Sequence, residues 1–241
     1  MKKRNRLWRA LDWIYPRRCA LCDGLLGREE RYVCAGCRRN LPRPVGEPRC
    51  MKCGKPLSAA EKEYCHDCGH YRQSFDRGMG IFLYQGAVKE SMMRFKFRGR
   101  KEYGAYFGSM MLLYGREFLE REAPQVIIPV PIHKRKLRIR GYNQAQVLAE
   151  VIGSGLSIPI RTDLVLRTKF TKAQKTLDRK ERKKNLEQAF SVGKEAGRYR
   201  CVLLVDDIYT TGSTVNAIAG KLKMQGVEKV CFLTACIGQG W

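Results

Sequence analysis

Two groups of residues in this chain have the types and spacing that chemistry requires. The first is Cys201 to Thr214, CVLLVDDIYTTGST, where an apolar run meets two adjacent carboxylates and then a hydroxyl- and glycine-rich turn. Read as a buried strand, a turn and a helix start, it sets Thr210, Thr211, Gly212, Ser213 and Thr214 at a helix N-terminus. Gly212 permits an unusual backbone angle, and the first N–H groups of the helix point outward with the positive end of its dipole. Such a turn suits a monophosphate, and the neighbouring hydroxyls add donors. Asp206 and Asp207 cannot be aimed at the phosphate, because like charges repel. They suit the vicinal hydroxyls of a sugar or the water shell of a magnesium ion. The stretch therefore fits a ribose 5-phosphate. Its nearest rival, the Walker B strand of an ATPase, needs a Gly-x4-Gly-Lys-[Ser/Thr] partner that the sequence lacks. A purely structural acid pair is the remaining alternative.

The second group is cysteine. Of 11 cysteines, eight form the pairs Cys19/Cys22, Cys34/Cys37, Cys50/Cys53 and Cys65/Cys68. A shift of 31 residues carries the first two pairs onto the last two, so one Cys-x2-Cys-x11-Cys-x2-Cys unit is duplicated. Two thiolates three residues apart grip a tetrahedral ion from a tight turn, and a second pair closes the shell. Glycines at 24, 54 and 69 supply freedom near the knuckles. Redox and disulfide uses of Cys-x-x-Cys compete, but four pairs in a duplicated ribbon point to two structural zinc ions. With four sulfurs per ion no open position is left, and neither His66 nor His70 is needed as a ligand. Spacing alone leaves open which pairs share an ion. Cys201, Cys231 and Cys236 lie in apolar segments and read as packing residues.

These groups sit in a chain of 241 residues with a formal net charge of +24. Two zinc clusters of four thiolates each would lower that only to about +20. The excess is concentrated in the N-terminal segment, in 133–140 (HKRKLRIR) and in 167–184 (RTKFTKAQKTLDRKERKK). Fields of this sign gather polyanions, so a phosphorylated metabolite, a nucleic acid or both are the expected partners; solvated charged faces are the bland reading. No apolar run is long enough to span a bilayer, and Arg9 and Asp12 interrupt any signal-peptide core, so a cytoplasmic protein without stable membrane insertion is expected. Residues 1–18 read as a short amphipathic helix stopped by Pro16, with a membrane-surface helix as the sharper alternative.

Three modules follow: the helix at 1–18, a double zinc ribbon at 19–70 with four-cysteine units at 19–37 and 50–68, and an α/β domain at 80–241. Residues 69–79 read as the joint. Strands are expected at 80–84, 126–130, 164–166, near Phe190, at 201–205 and at 229–235. Helices are expected from Val88 to about Gly99, over 102–121, 144–152 and 213–224, with 133–140 a basic loop. Strands apolar on both faces that alternate with helices make a parallel sheet covered on both sides, whose ligands collect at the carboxyl ends of the strands.

VLLVDDIYTTGST resembles the phosphoribosyl-pyrophosphate motif of type I phosphoribosyltransferases. Together with the duplicated ribbon, PVPIHKRKLRIRGYNQAQVLAE and RTKFTKAQKTLDRKERKKNLEQAF, nearly the whole chain resembles the ComF family of competence-associated and GntX-like bacterial proteins. The resemblance implies a type I phosphoribosyltransferase-like fold that takes phosphoribosyl pyrophosphate with magnesium. It puts the ribose hydroxyls on Asp206 and Asp207 and the 5-phosphate on Thr210 to Thr214. It puts a pyrophosphate loop at His133, Lys134, Arg135, Arg140, Gly141 and Asn143, and a mobile catalytic loop at Arg167, Thr168, Gln174 and Arg179. No general base stands out; Tyr142 and His133 are the available groups. It further implies a role with single-stranded DNA in natural transformation, as a transferase of unidentified acceptor. The alternatives are a sensor of the sugar phosphate or nucleotides, a DNA-binding protein that uses Trp8, Trp13, Phe170 and Tyr199, or an adaptor docked on other competence proteins.

Overall fold

The computed structural model describes residues 16–59, 61–169, 185–186 and 188–239. Residues 1–15 of the expected N-terminal helix, and with them Trp8 and Trp13, lie outside the described residues, as do Phe170, Gln174 and Arg179.

The duplication read from the cysteines is a duplication of backbone. Isolated antiparallel bridges join Arg18 to Leu25 and, 31 residues on, Arg49 to Pro56. In each knuckle the first cysteine's N–H donates to a carbonyl five residues ahead, Cys19 to Gly24 (2.7 Å) and Cys50 to Lys55 (2.8 Å). Each half ends in one helical turn and a half, α1 (Ala35–Arg39) and α2 (His66–His70). The knuckle needs one left-handed residue, and the halves solve this differently: Asp23 at φ 65° and Gly54 at φ 73°. The left-handed position is therefore not Gly24 in the first half; Asp is among the residues that adopt it most readily, and Tyr103 and Arg100 hold its side chain there.

After the ribbon come β1 (Arg77–Leu83), α3 (Gly86–Phe97), α4 (Tyr103–Glu122), β2 (Val126–Pro129), α5 (Lys134–Arg140) and α6 (Gln144–Leu156). Then follow β3 (Val165–Arg167), β4 (Phe190–Val192), a 3-10 turn (Lys194–Arg198), β5 (Cys201–Tyr209), α7 (Ser213–Met224) and β6 (Lys229–Ile237). The main sheet has the order β1-β6-β5-β2, every pair parallel, and β3 pairs with β4 in a separate antiparallel ribbon. Strand parity divides the core. Val126, Ile128, Val202 and Leu204 face α7, where Ile218 and Leu222 pack. Ile127, Leu203 and Val205 face α4 and α6, against Phe107, Met111, Leu148 and Ile152. The ribbon straddles this division, with Cys50, Cys53 and Cys65 joining the first core and Cys19, Ala20 and Leu21 the second.

Two elements depart from the sequence expectations. The stretch expected as a basic loop is the helix α5, closed at one end by His133, whose side chain accepts from Arg135 N, and at the other by left-handed Gly141. It buries none of its residues, so no apolar periodicity announces it. Strand β5 runs on through Tyr209, which carries both aspartates inside the sheet rather than beyond it.

Candidate functional site

Each half of the ribbon gathers its own four sulfurs: Cys19, Cys22, Cys34 and Cys37 in one, Cys50, Cys53, Cys65 and Cys68 in the other, all within 4.8 Å of one another. Tetrahedral zinc with bonds of about 2.3 Å sets its sulfurs about 3.8 Å apart. Cys22 and Cys34 are 3.7 Å apart and Cys53 and Cys65 3.6 Å, so both sets fit the ion, and the pairing left open by the sequence is within each half. In the first set Cys34 N and Cys37 N donate to the Cys19 and Cys34 sulfurs at 3.3 and 3.4 Å, the partners that zinc thiolates take. These are two four-cysteine zinc sites of a structural kind.

The turn after β5 begins α7 with Gly212 at φ 72°, and no side chain caps the helix. Gly212 is required twice over, since a Cβ there would stand 2.4 Å from the Tyr209 hydroxyl. Ser213 N donates weakly to Thr211 Oγ1 at 3.5 Å, and among the described residues no side chain caps the N–H groups that follow it in the first turn, beside exposed Thr210 and Thr211. Thr211 Oγ1 and Ser213 Oγ lie 2.8 Å apart and line the same turn.

Consecutive strand residues point to opposite faces, and the aspartates meet different partners accordingly. Asp207 is buried and pairs with Lys96 Nζ at 2.9 Å. Asp206 lies on the side of Arg167, whose guanidinium sits 5.1 Å over the Phe190 ring. Burial, and then the charge of Asp207, push Asp206 up to about 8. Burial and then the neighbouring cations Arg167, Arg140 and Lys96 push Lys136 down, with Asp207 opposing. Asp207 thus has Lys96 and Lys136 near it and Asp206 has Arg167, with Arg140 beside Lys136, a surplus of cations suited to an added anion.

The other predicted residues distribute as follows. His133 is buried, and burial first, then Arg135, Arg167, Lys134 and Lys136, hold it below its ordinary value. Lys134 and Arg135 are exposed on α5. Arg140 donates to Gln144 Oε1 at 2.9 Å and stacks 4.7 Å over Phe97. Asn143 caps α6 and donates to Val130 O at 3.1 Å, which ties the segment down beside β2. Thr168 N donates to Ala189 O at 2.9 Å beside β4. Tyr142 is unsuited to act as a base, because its hydroxyl donates to Phe95 O and burial raises it to about 12. Tyr199 accepts from Arg161 at 3.3 Å rather than standing ready to stack on a base.

Sequence reasoning did not single out Lys96 or Lys136. Lys96 carried a signal: it follows Val88 and Met92 at four-residue steps on the inward face of α3, where a lone lysine must meet a buried acid. Lys136 carried none, being one of five cations between positions 134 and 140.

A family model of the double zinc ribbon domain matches residues 10–69. Competence protein F of Haemophilus influenzae is 34% identical over 218 residues, which cover 88% of this chain and 93% of that protein. Competence protein ComFC of Bacillus subtilis is 27% identical, with 86% of this chain and 89% of that protein covered. The DNA utilization protein YhgH of Escherichia coli K12 is 28% identical, with 92% and 97% covered.

Proposed function

The chain belongs to the ComF family of competence proteins, and from that premise we propose that its α/β domain binds phosphoribosyl pyrophosphate and works in the handling of DNA taken up during transformation. The observation that carries the proposal is the pairing of the helix N-terminus at Gly212 with a carboxylate pair that Lys96 meets at 2.9 Å and that Lys136 and Arg167 neighbour. The 5-phosphate rests on the first-turn amides of α7 and the hydroxyls of Thr211 and Ser213. The diol meets Asp206 and Asp207. The diphosphate lies toward Lys96, Lys136, Arg140 and Arg167, which balance its charge and would stabilise it as it leaves C1 of the ribose. Asp206 and Asp207 also offer the hard oxygen donors that magnesium takes, and a magnesium ion brought with the diphosphate would neutralise its charge. The DNA-handling role rests on the names of the relatives, competence proteins F and ComFC and a DNA utilization protein.

Calorimetric titration with phosphoribosyl pyrophosphate and magnesium tests the proposal. The natural protein binds, and Asp206→Asn with Asp207→Asn abolishes binding while both zinc ions stay. Exchange of labelled pyrophosphate into the bound ligand separates a transferase from a sensor: exchange means that the C1–O bond breaks, and binding without exchange favours the sensor.

A second reading, direct binding of single-stranded DNA, is favoured by one surface. Tyr64 and Tyr71 are 47% and 43% exposed in a hollow of about 660 Å³ that Lys52, Arg72 and Lys223 also line. Exposed rings among cations are what a single strand stacks on. Replacing Lys52 or Arg72 by alanine then lowers the log–log salt slope of oligonucleotide binding by about one each. An unchanged slope removes this surface from consideration.

A further inference from the structure

Two side chains hold Arg140 before any ligand arrives. Its Nη1 donates to Gln144 Oε1 at 2.9 Å, and its guanidinium carbon stands 4.7 Å over the Phe97 ring. Packing explains neither holder. Gln144 opens α6 and is 1% exposed, a position that an apolar chain of the same length would fill at lower cost. Its Nε2 has no hydrogen-bond partner among the described residues, the neighbouring Tyr142 hydroxyl being turned to Phe95 O. The bond that its amide makes within the protein is therefore the one to Arg140. Phe97 is 59% exposed at the end of α3, whereas Phe95, two residues earlier, has no exposure at all.

The end of α3 also fixes where the held arginine sits. Three consecutive residues there take three different partners: Phe95 O accepts from Tyr142, Lys96 Nζ meets Asp207 at 2.9 Å, and Phe97 lies under Arg140. The acid pair and the corner between α5 and α6 are thus gathered on one turn of helix. On α5 the same direction is marked by burial. His133, Lys136 and Arg140, at three- and four-residue steps, are buried or half-buried, while Lys134, Arg135, Leu137, Arg138 and Ile139 are exposed. The corner itself is stiff. Gly141 ends α5 at φ 78°, and the Asn143 side chain accepts from Ala145 N at 3.2 Å while it donates to Val130 O at 3.1 Å.

We infer that Gln144 and Phe97 are positioning residues, which clamp Arg140 in the orientation that receives the diphosphate of the ligand. The inference rests on the reading of this site as one for phosphoribosyl pyrophosphate. An unheld arginine loses many rotamers when it grips an anion, and a clamp removes that loss in advance. With Nη1 engaged by Gln144, the rest of the planar fork is left to meet phosphoryl oxygens. Both residues act through Arg140 and not on the ligand.

Calorimetry on the full, zinc-loaded chain tests this by comparing magnesium and phosphoribosyl pyrophosphate with ribose 5-phosphate, which lacks the diphosphate. Gln144→Leu is expected to melt no lower than the natural protein, because an apolar chain replaces a buried amide. It should bind ribose 5-phosphate as the natural protein does and phosphoribosyl pyrophosphate about fivefold to tenfold more weakly. Phe97→Leu, at an exposed position, should show the same selectivity with a smaller loss, and decides the matter should Gln144→Leu fail to fold. In an Arg140→Ala background neither change should cost further affinity, since both act through that arginine. Equal losses for the two ligands, no loss for phosphoribosyl pyrophosphate, or a full further loss without Arg140 would each overturn the clamp. A natural protein that binds ribose 5-phosphate no less tightly than phosphoribosyl pyrophosphate would overturn it too, while the Gly212 turn stands. Binding of neither would bring down the sugar-phosphate reading and the clamp with it.

Discussion

The two halves of the ribbon share one backbone and differ in where they are anchored. The first carries one buried and three more accessible cysteines and rests on α3 and α4; the second carries three buried cysteines and lies against the α7 core. Both left-handed knuckle residues serve the docking. Asp23 accepts from the Tyr103 hydroxyl and pairs with Arg100 at 3.2 Å. Gly54 instead brings its backbone against Gly78, where a Cβ would stand 2.6 Å from the carbonyl oxygen. A duplicated unit thus became one clamp on the helices α3 and α4 and one pad against β1 and the α7 core. The lesson is that equal metal chemistry can carry unequal consequences, because the consequence depends on the neighbouring face.

Removing each metal in turn tests this difference most severely. Structural zinc supplies about 10–16 kcal/mol of apparent folding free energy in small modules, so losing either ion should unfold its own half. Cys50→Ser with Cys53→Ser should abolish sugar-phosphate binding together with one zinc. Cys34→Ser with Cys37→Ser should also lose one zinc, yet weaken binding far less. Equal loss of binding in a paired zinc and calorimetric assay would erase the distinction between the halves.

A smaller effect is expected from breaking the pair on the α3 side. Lys96→Met leaves Asp207 buried without its 2.9 Å partner, which should cost about 3–5 kcal/mol in denaturant melts. A loss below about 1 kcal/mol, the range of an exposed pair, would mean that solvent already screens it.

Asp206 should act in the opposite sense. Its folded-state value of about 8 exceeds the ordinary carboxylate value of the unfolded chain. The folded protein therefore holds a proton that the unfolded chain has lost, and stability falls as pH rises between about 4 and 8. Asp206→Asn should raise the melting temperature by several degrees at pH 9 and leave it nearly unchanged at pH 4, while it loses ligand binding. A variant no more stable at pH 9 would place the carboxyl in water.

The smallest change expected is at the clamp. Tyr103→Phe removes one hydrogen bond to Asp23 and should cost about 1 kcal/mol, with no change in ligand affinity. A change in affinity would show that the clamp also reaches the site.

Much of this was legible in the residue pattern. The cysteine spacing carried the ribbon and its repeat, because metal geometry leaves few choices of spacing. The apolar runs carried the parallel sheet, because strands buried on both faces have no other composition. The acid pair and the Gly212 turn lay in one stretch and could be read together. Helix α5 was hidden because it buries none of its residues. Lys96 carried a local mark, its place on the inward face of α3, but its partner lies 111 positions later, and nothing local names that partner. Tyr209 was misleading: strict alternation places it in the wrong core, and the paired slip of β5 and β6 puts it in the α7 core instead.

The most direct test of the account is a structure of the protein with ribose 5-phosphate bound. The account predicts the phosphate against the amides that open α7 at Ser213, with the sugar hydroxyls on Asp206 and Asp207. A phosphate lodged instead between Lys52 and Arg72, with the Gly212 turn holding only water, would contradict it.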